Sequence, residues 1–399
     1  MNLMKSPGLL LTAFLPLLFL SCLKPSPPSW VAKISLNPPP PHAEEIFRLS
    51  DGGRLSFPQL MEELRGARVI FTGESHDQME HHQIQRRIIR ALVDQGKAVV
   101  IAMEMFQRPQ QPLLDRWTKG LLSEEEFLRQ IEWETTWGMD YRLYKGLLDE
   151  ARDRGLKVLA LNVPRELVRK AAQGGIDSLS EEERKGLPEM DLGHPLHRSY
   201  IESIYRGHEG GLAKDFERFY LAQVLWDEGM AETLSNFLSS PEGEGKTIVV
   251  IAGAGHIIYR FGIPERFFRR SPLPYKTILL REWGKEIQKD PMFSQISRPP
   301  ADYLWLTHPS APEKRRPRIG LVLKASETPG VLIERILPDS PAEKAGLLPG
   351  DRILRVNEQE ILRLQDLHDA VTRTGSGKGI LFLILREGKP MEISVSPHP

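Results

Sequence analysis

The sequence predicts an α/β domain with a mostly parallel sheet covered by helices on both faces, followed by a smaller second domain. Two observations predict the α/β part: short, continuously apolar runs rich in β-branched residues, and longer stretches of helical period between them. A third observation divides the chain, because prolines cluster at two places, within 25–41 and within 299–317. The body expected between these clusters spans residues 43–297, and the tail domain spans 318–397.

In chain order, residues 68–72 (RVIFT) read as a strand and 78–95 as a helix; 98–104 (AVVIAME) follow as a strand, 141–154 as a helix and 157–162 (KVLALN) as a strand. A long helix over 219–238 and strands over 247–252 (TIVVIA) and 277–280 complete the pattern. The segment 298–317, with Pro299, Pro300, Pro309, Pro312 and Pro317 around Lys314-Arg315-Arg316, reads as a solvated linker.

The 399 residues carry 53 Lys+Arg and 53 Asp+Glu, so the net charge is zero and a nucleic-acid partner is not indicated. Cys22 is the only cysteine, which excludes an intrachain disulfide and a cysteine zinc site. It stands at the end of an apolar core, residues 9–20, that is too short to span a bilayer and carries Lys5 before it, the pattern of a secretory signal over 1–21. Phe19-Leu20-Ser21-Cys22 resembles a bacterial lipobox. That resemblance implies lipidation of Cys22, and Leu23 after it implies sorting to the outer membrane, facing the periplasm. Residues 22–42 then form a proline-rich tether.

Ligands of open α/β sheets bind beyond the carboxyl ends of the strands. Those ends carry Gly73-Glu74-Ser75-His76, Glu104, Asn162 and Gly253-Ala254-Gly255-His256. Ser75-x-x-Gln78 has the form of a capping box, which predicts His76 in a first helical turn and neutral. His76, Glu104 and His256 form a candidate set for a divalent metal or for acid–base chemistry; the alternative is that these groups only cap helices and bond one another. His81 falls on the stripe of Ile84, Ile88 and Leu92 and is expected to be buried and bonded, with His82 partly exposed. Asp227 lies on an apolar stripe and needs a partner, with His76, His256 or an arginine as candidates; Gln223 is its companion candidate. Trp133, Trp137, Tyr141 and Tyr144 recur at helical spacing, as an aromatic wall for a flat ligand or as core. Walker and Gly-x-Ser-x-Gly motifs are absent, which excludes P-loop nucleotide hydrolysis and ordinary serine esterase chemistry.

Gly73-Glu74-Ser75-His76 with His81-His82, Ala102-Met103-Glu104-Met105-Phe106-Gln107-Arg108, Ala160-Leu161-Asn162-Val163-Pro164-Arg165, Ala222-Gln223-Val224-Leu225-Trp226-Asp227-Glu228 and Gly253-Ala254-Gly255-His256 with Gly262-Ile263-Pro264 resemble, in this order, the ChaN-type lipoproteins of the Tiki superfamily. The resemblance implies haem binding and a part in haem and iron uptake. The haem-site candidates are Glu74, His76, Glu104, Tyr141, Tyr144, Asp227, His256 and Tyr259, with Tyr141, Tyr144, Tyr259 and His256 as axial donors. Tiki relatives that are metal-dependent hydrolases imply a second function, hydrolase or peptidase, with His76, Glu104 and His256 as catalytic and metal-binding residues. A non-catalytic scaffold is the third.

Arg318-Ile319-Gly320-Leu321, Gly330-Val331-Leu332-Ile333, the run Ser340 to Leu347 and Gly350-Asp351-Arg352-Ile353-Leu354 resemble a bacterial PDZ domain, with Asn357-Glu358 in place of the usual Asn-Gly turn. This implies a small, mainly-β module that takes a protein C-terminus or extended peptide, its carboxylate held by a loop at Ile319, Gly320 and Leu321 and assisted by Arg318. The partners expected are therefore a membrane through the lipid and a peptide through this module, and a homodimer is compatible with both.

Overall fold

The computed structural model describes residues 45–206, 215–283, 296, 298–308, 319–325, 328–337, 340–362, 364–374 and 379–396. The signal, Cys22, the tether and Arg318 lie outside the described residues. The first sheet has eight strands: β1 (Glu45–Arg48), β2 (Arg54–Leu55), β3 (Val69–Glu74), β4 (Val99–Gln107), β5 (Lys157–Asn162), β6 (Thr247–Gly253), β7 (Tyr275–Glu282) and β8 (Tyr303–Thr307). Their order is β2-β1-β8-β7-β3-β6-β4-β5. All pairs from β8 to β5 are parallel, and β1 joins β8 and β2 antiparallel.

The central strands are apolar throughout because both faces are covered. Along β3, Val69 and Phe71 point into one core layer and Ile70 into the other, the period of two that a pleated strand imposes. The first layer is closed by the 24-residue helix Phe216–Ser239 and by Ile263–Arg270, the second by Met79–Asp94 and Tyr141–Asp153. No helix among the described residues is long and apolar enough to cross a membrane.

The second sheet is antiparallel, ordered β14-β13-β11-β10-β9, with β12 beside β11. Its strands are β9 (Leu321–Ala325), β10 (Val331–Ile336), β11 (Arg352–Val356), β12 (Gln359–Glu360), β13 (Ile380–Arg386) and β14 (Lys389–Val395). Leu367, Ala370 and Val371 of the helix Leu364–Thr374 close its core. Gly320 precedes the open-edge strand β9 at φ +85°, and a Cβ there would lie 2.1 Å from that of Ser340, so only glycine fits. Asn357 takes the left-handed turn position at φ +51°, and its side-chain oxygen accepts from Leu381 N–H at 3.0 Å.

One boundary is corrected. The expected linker begins at residue 298, yet β8 belongs to the first sheet, paired with β7 on one side and β1 on the other. Tyr303, Leu304, Trp305 and Leu306 are buried, because this strand covers the flank that would otherwise be open. The proline cluster hid it: Pro299 and Pro300 precede a short apolar strand rather than extend a linker. A chain ending at residue 297 is therefore expected to lose cooperative thermal unfolding, while one ending at 308 keeps it; circular dichroism melts of the two distinguish them.

Candidate functional site

The carboxyl ends of β3, β4 and β6 bring Glu74, His76, Glu104 and His256 to one edge. Glu74 is the last residue of β3, paired in register with Gly253, and Glu104 lies one residue beyond the last β4–β6 pair, Met103 with Ile251. A Cβ at Gly253 would lie 2.9 Å from His76 Nε2 and 3.7 Å from Glu104 Oε2, so the glycine is what admits the imidazole. Its own N–H donates to Glu104 Oε2 at 2.7 Å.

Glu74 is buried completely and gathers donors from three elements. Gln85 Nε2 donates to Oε2 at 2.8 Å and His82 Nδ1 lies 3.1 Å from the same oxygen; Tyr144 Oη donates to Oε1 at 3.0 Å and His76 Nδ1 lies 3.0 Å from it. Burial alone would push this carboxyl up, but the charge of His82 and the hydrogen bonds of both histidines outweigh it and hold the pKa at about 2. His82 Nε2 also faces the His76 carbonyl at 3.2 Å. Both its ring nitrogens therefore face acceptors, which favours imidazolium and raises its pKa despite burial. His82, expected partly exposed, is 2% exposed because the first helical turn is roofed by the Tyr144 ring at 4.3 Å.

His81 is buried, and its Nδ1 accepts from Ser75 N–H at 3.0 Å, with Nε2 3.4 Å from Thr307 Oγ1 of β8. The first bond requires a lone pair on Nδ1, so the ring is neutral, and burial lowers its pKa to about 4. It also overturns the expected capping box. With Ser75 N–H held by His81, residues 75–78 remain a turn and the helix begins at Met79, leaving His76 before it. Nor is charge on His76 disfavoured as expected: burial lowers its pKa, but the Glu74 hydrogen bond and the Glu104 charge outweigh that and raise it.

Across Glu104 stands a second carboxylate–histidine pair. His256 Nδ1 lies 2.7 Å from Asp227 Oδ1 and Nε2 lies 3.4 Å from Glu104 Oε1. Burial works against its charge, but two carboxylates more than compensate, and its pKa rises well above 6.5. Asp227 thus finds the histidine partner that its place on an apolar stripe demanded, while Gln223 stays half-buried. No local pattern in the chain marks His197, whose Nε2 lies 3.8 Å from Asp227 Oδ2 and whose Nδ1 accepts from Arg266 at 3.0 Å. Burial and the Arg266 charge lower its pKa to about 3. Gln85 was also missed; its signal is a polar side chain one turn beyond His81 and His82 on the inward stripe.

The four axial candidates fare differently. Tyr259 is buried in the core between Tyr200 and Phe261, Tyr144 is committed to Glu74, and His256 is held between Asp227 and Glu104. Tyr141 packs against Trp133 with its hydroxyl buried and, among the described residues, without a hydrogen-bond partner. Trp133, Tyr141 and Tyr144 are thus core, and of the four aromatics only Trp137 reaches the rim, edge-on to His76 at 4.9 Å. His76 is the donor that fits an iron-bearing ligand: its side chain is 33% exposed, a carboxylate orients Nδ1, and Nε2 has no hydrogen-bond partner among the described residues. The expected metal set does not form a cage. Among the described residues no three His, Cys, Asp or Glu side chains are placed to hold a metal ion, because Glu104 is taken by Gly253 N–H and His256.

The family described as haem-binding uptake, Tiki superfamily, ChaN matches residues 60–267, and the PDZ domain family matches 317–396. Among curated proteins, Protein RETICULATA-RELATED 5, chloroplastic, of Arabidopsis thaliana is 23% identical over 270 residues, 62% of this chain and 35% of that protein. A probable periplasmic serine endoprotease, DegP-like, of a Marinomonas strain is 45% identical over 67 residues, 17% of this chain and 14% of that protein. The chain thus spans about a third or less of the length of these relatives. The solved structure of Campylobacter jejuni ChaN with cofacially bound heme shares the fold, at TM-score 0.51 and 18% identity over 66% of this chain and 96% of that one.

Glu74→Ala would strand a buried imidazolium and is expected to destabilise the domain by about 3–5 kcal/mol in urea unfolding, with Glu74→Gln costing less. His81 and His197 are neutral when folded and take up protons when unfolded. Stability is therefore expected to fall as pH drops below 6.5, levelling only near the folded values of about 4 and 3. Urea midpoints against pH check this, and His197→Gln should flatten the slope. Glu104→Gln and Asp227→Asn should each lower the His256 titration followed by NMR.

Proposed function

Because the chain belongs to the ChaN haem-binding uptake family of the Tiki superfamily, we propose that its α/β domain binds haem at the strand-end edge and that its PDZ domain docks a protein C-terminus or an extended peptide. The observation that carries the haem reading is His76, partly exposed beside Trp137, with Nδ1 against the buried Glu74 carboxylate and Nε2 without a hydrogen-bond partner among the described residues. Iron-ligating histidines characteristically give their other ring nitrogen to a carboxylate, which fixes the ring and strengthens the donor. Here His76 would hold the iron, and Trp137, edge-on to His76, would offer the ligand an aromatic contact. Bound haem would supply the iron and its visible absorption; the protein's part is to orient the imidazole and keep Glu74 dry.

The PDZ reading is supported by β9, which among the described residues stands at the end of its sheet, where a further strand can add, and by the Ile319–Gly320 turn before it. The place of Cys22 after an apolar core supports a lipid anchor in the outer membrane, facing the periplasm, and with haem binding it supports a part in haem and iron uptake.

A haemin titration of the full chain, read by visible absorption, is expected to show a saturable shift in the unmutated protein. His76→Ala should weaken it by about tenfold or more, a loss of roughly 1.4 kcal/mol per decade, while Tyr141→Phe leaves it unchanged. A featureless, nonsaturating response of the unmutated chain would sink the haem reading.

A further inference from the structure

Ferric iron carries one more positive charge than ferrous iron. A haem site therefore favours one oxidation state through the charge it keeps near its donor and through the basicity of that donor. The strand-end edge is rich in negative charge. Glu74, Glu104 and Asp227 are all buried there, where solvent screens them little. Glu74 bears on His76 directly, with Oε1 3.0 Å from Nδ1, and the Glu104 charge acts on the same ring.

The two oxygens of Glu74 divide its partners. Oε2 accepts from Gln85 Nε2 at 2.8 Å and faces His82 Nδ1 at 3.1 Å, whereas Oε1 accepts from Tyr144 Oη at 3.0 Å and faces His76. The histidine charge that offsets the carboxylate thus stands on the oxygen away from His76. When an imidazole gives the Nε2 lone pair to a metal, its remaining proton sits on Nδ1, here against Oε1. A hydrogen bond from that proton to an anion moves more negative charge onto the ring than one to a neutral acceptor. Tyr144 tempers the effect, because its hydroxyl draws on the same oxygen.

We propose that Glu74, acting through His76, makes this edge selective for haem in the ferric state. The assignment rests on the haem reading and deepens it by naming the oxidation state of the ligand. Glu74 is a positioning residue for the donor, and Tyr144 sets how much of its charge the donor receives. By linkage, preference for ferric over ferrous haem and a lowered reduction potential of the bound iron are one free energy; a tenfold preference equals about 59 mV for a one-electron couple.

The test titrates the full chain with haemin in air and with dithionite-reduced haem under nitrogen, and follows the reduction potential of the bound haem by visible absorption against redox dyes. The unmutated chain is expected to hold haemin at least about tenfold tighter than reduced haem. Glu74→Gln should narrow that ratio by about tenfold, a rise of about 59 mV in potential, whereas Tyr144→Phe, which leaves Oε1 to His76, should widen it and lower the potential. The opposite signs separate this role from a structural one, since mere loosening of the site moves both variants the same way. Equal affinity of the unmutated chain for the two oxidation states overturns the proposal alone, as does a potential unchanged in both variants or shifted in the same direction in both. Should Glu74→Gln not fold, Tyr144→Phe and Gln85→Leu carry the test: each removes a neutral donor from the carboxylate, and a potential unchanged or raised in them overturns the proposal. Failure of the unmutated chain to bind haemin saturably overturns the haem reading and this one with it.

Discussion

The structure around the site depends on one buried carboxylate. Glu74 ends the central strand of a parallel sheet, where no water reaches it, and an ionised group there is tolerable only when its lone pairs are filled. His82 and Gln85 come from the helix after the strand, Tyr144 from the helix Tyr141–Asp153, and His76 from the turn between strand and helix. Each is a polar side chain in an otherwise apolar setting, and each is explained by the same oxygen atoms. The carboxylate thereby ties β3 to two helices and sets the orientation of the exposed histidine.

That orientation creates an asymmetry between two similar pairs. Glu74–His76 and Asp227–His256 flank Glu104, and in both a carboxylate faces Nδ1. The second pair is closed, since Glu104 also faces His256 Nε2, whereas His76 Nε2 lies over Gly253 without a hydrogen-bond partner among the described residues. The difference decides which imidazole is free to meet a ligand. It also explains why the three side chains that suggest a metal triad in the sequence do not make one: the carboxylate between them is consumed by the histidine on one side and a backbone N–H on the other.

Support for this arrangement comes from far along the chain. His81 reads Ser75 N–H with one nitrogen and faces Thr307 of β8 with the other, so a strand that follows two prolines steadies the turn that presents His76. Placing the domain boundary before β8 would remove that support together with the pairing of β7 and β1. The second sheet needs none of this, because its apolar residues form a core of their own around Val331, Ile353 and Phe382.

The sequence by itself determined the α/β class, the chain order of the central strands and helices, and the candidates at the strand ends. Apolar period, turn residues and motif order are local properties, and these elements are continuous in the chain. It also marked Asp227 as needing a partner, because a carboxylate on an apolar stripe is costly wherever the helix lies. Only the tertiary structure decided which partner. His256 Nδ1 is 29 residues away, His197 approaches from a third element, and β8 joins the sheet more than 200 residues after the His81 ring it faces. Tyr141, Tyr144 and Tyr259 show the same limit in reverse: the sequence made them ligand candidates, and burial turned them inward. Distances between side chains on separate elements follow from sheet order and packing, which no local pattern contains, so the chemistry of each residue was legible in the chain and its neighbours were not.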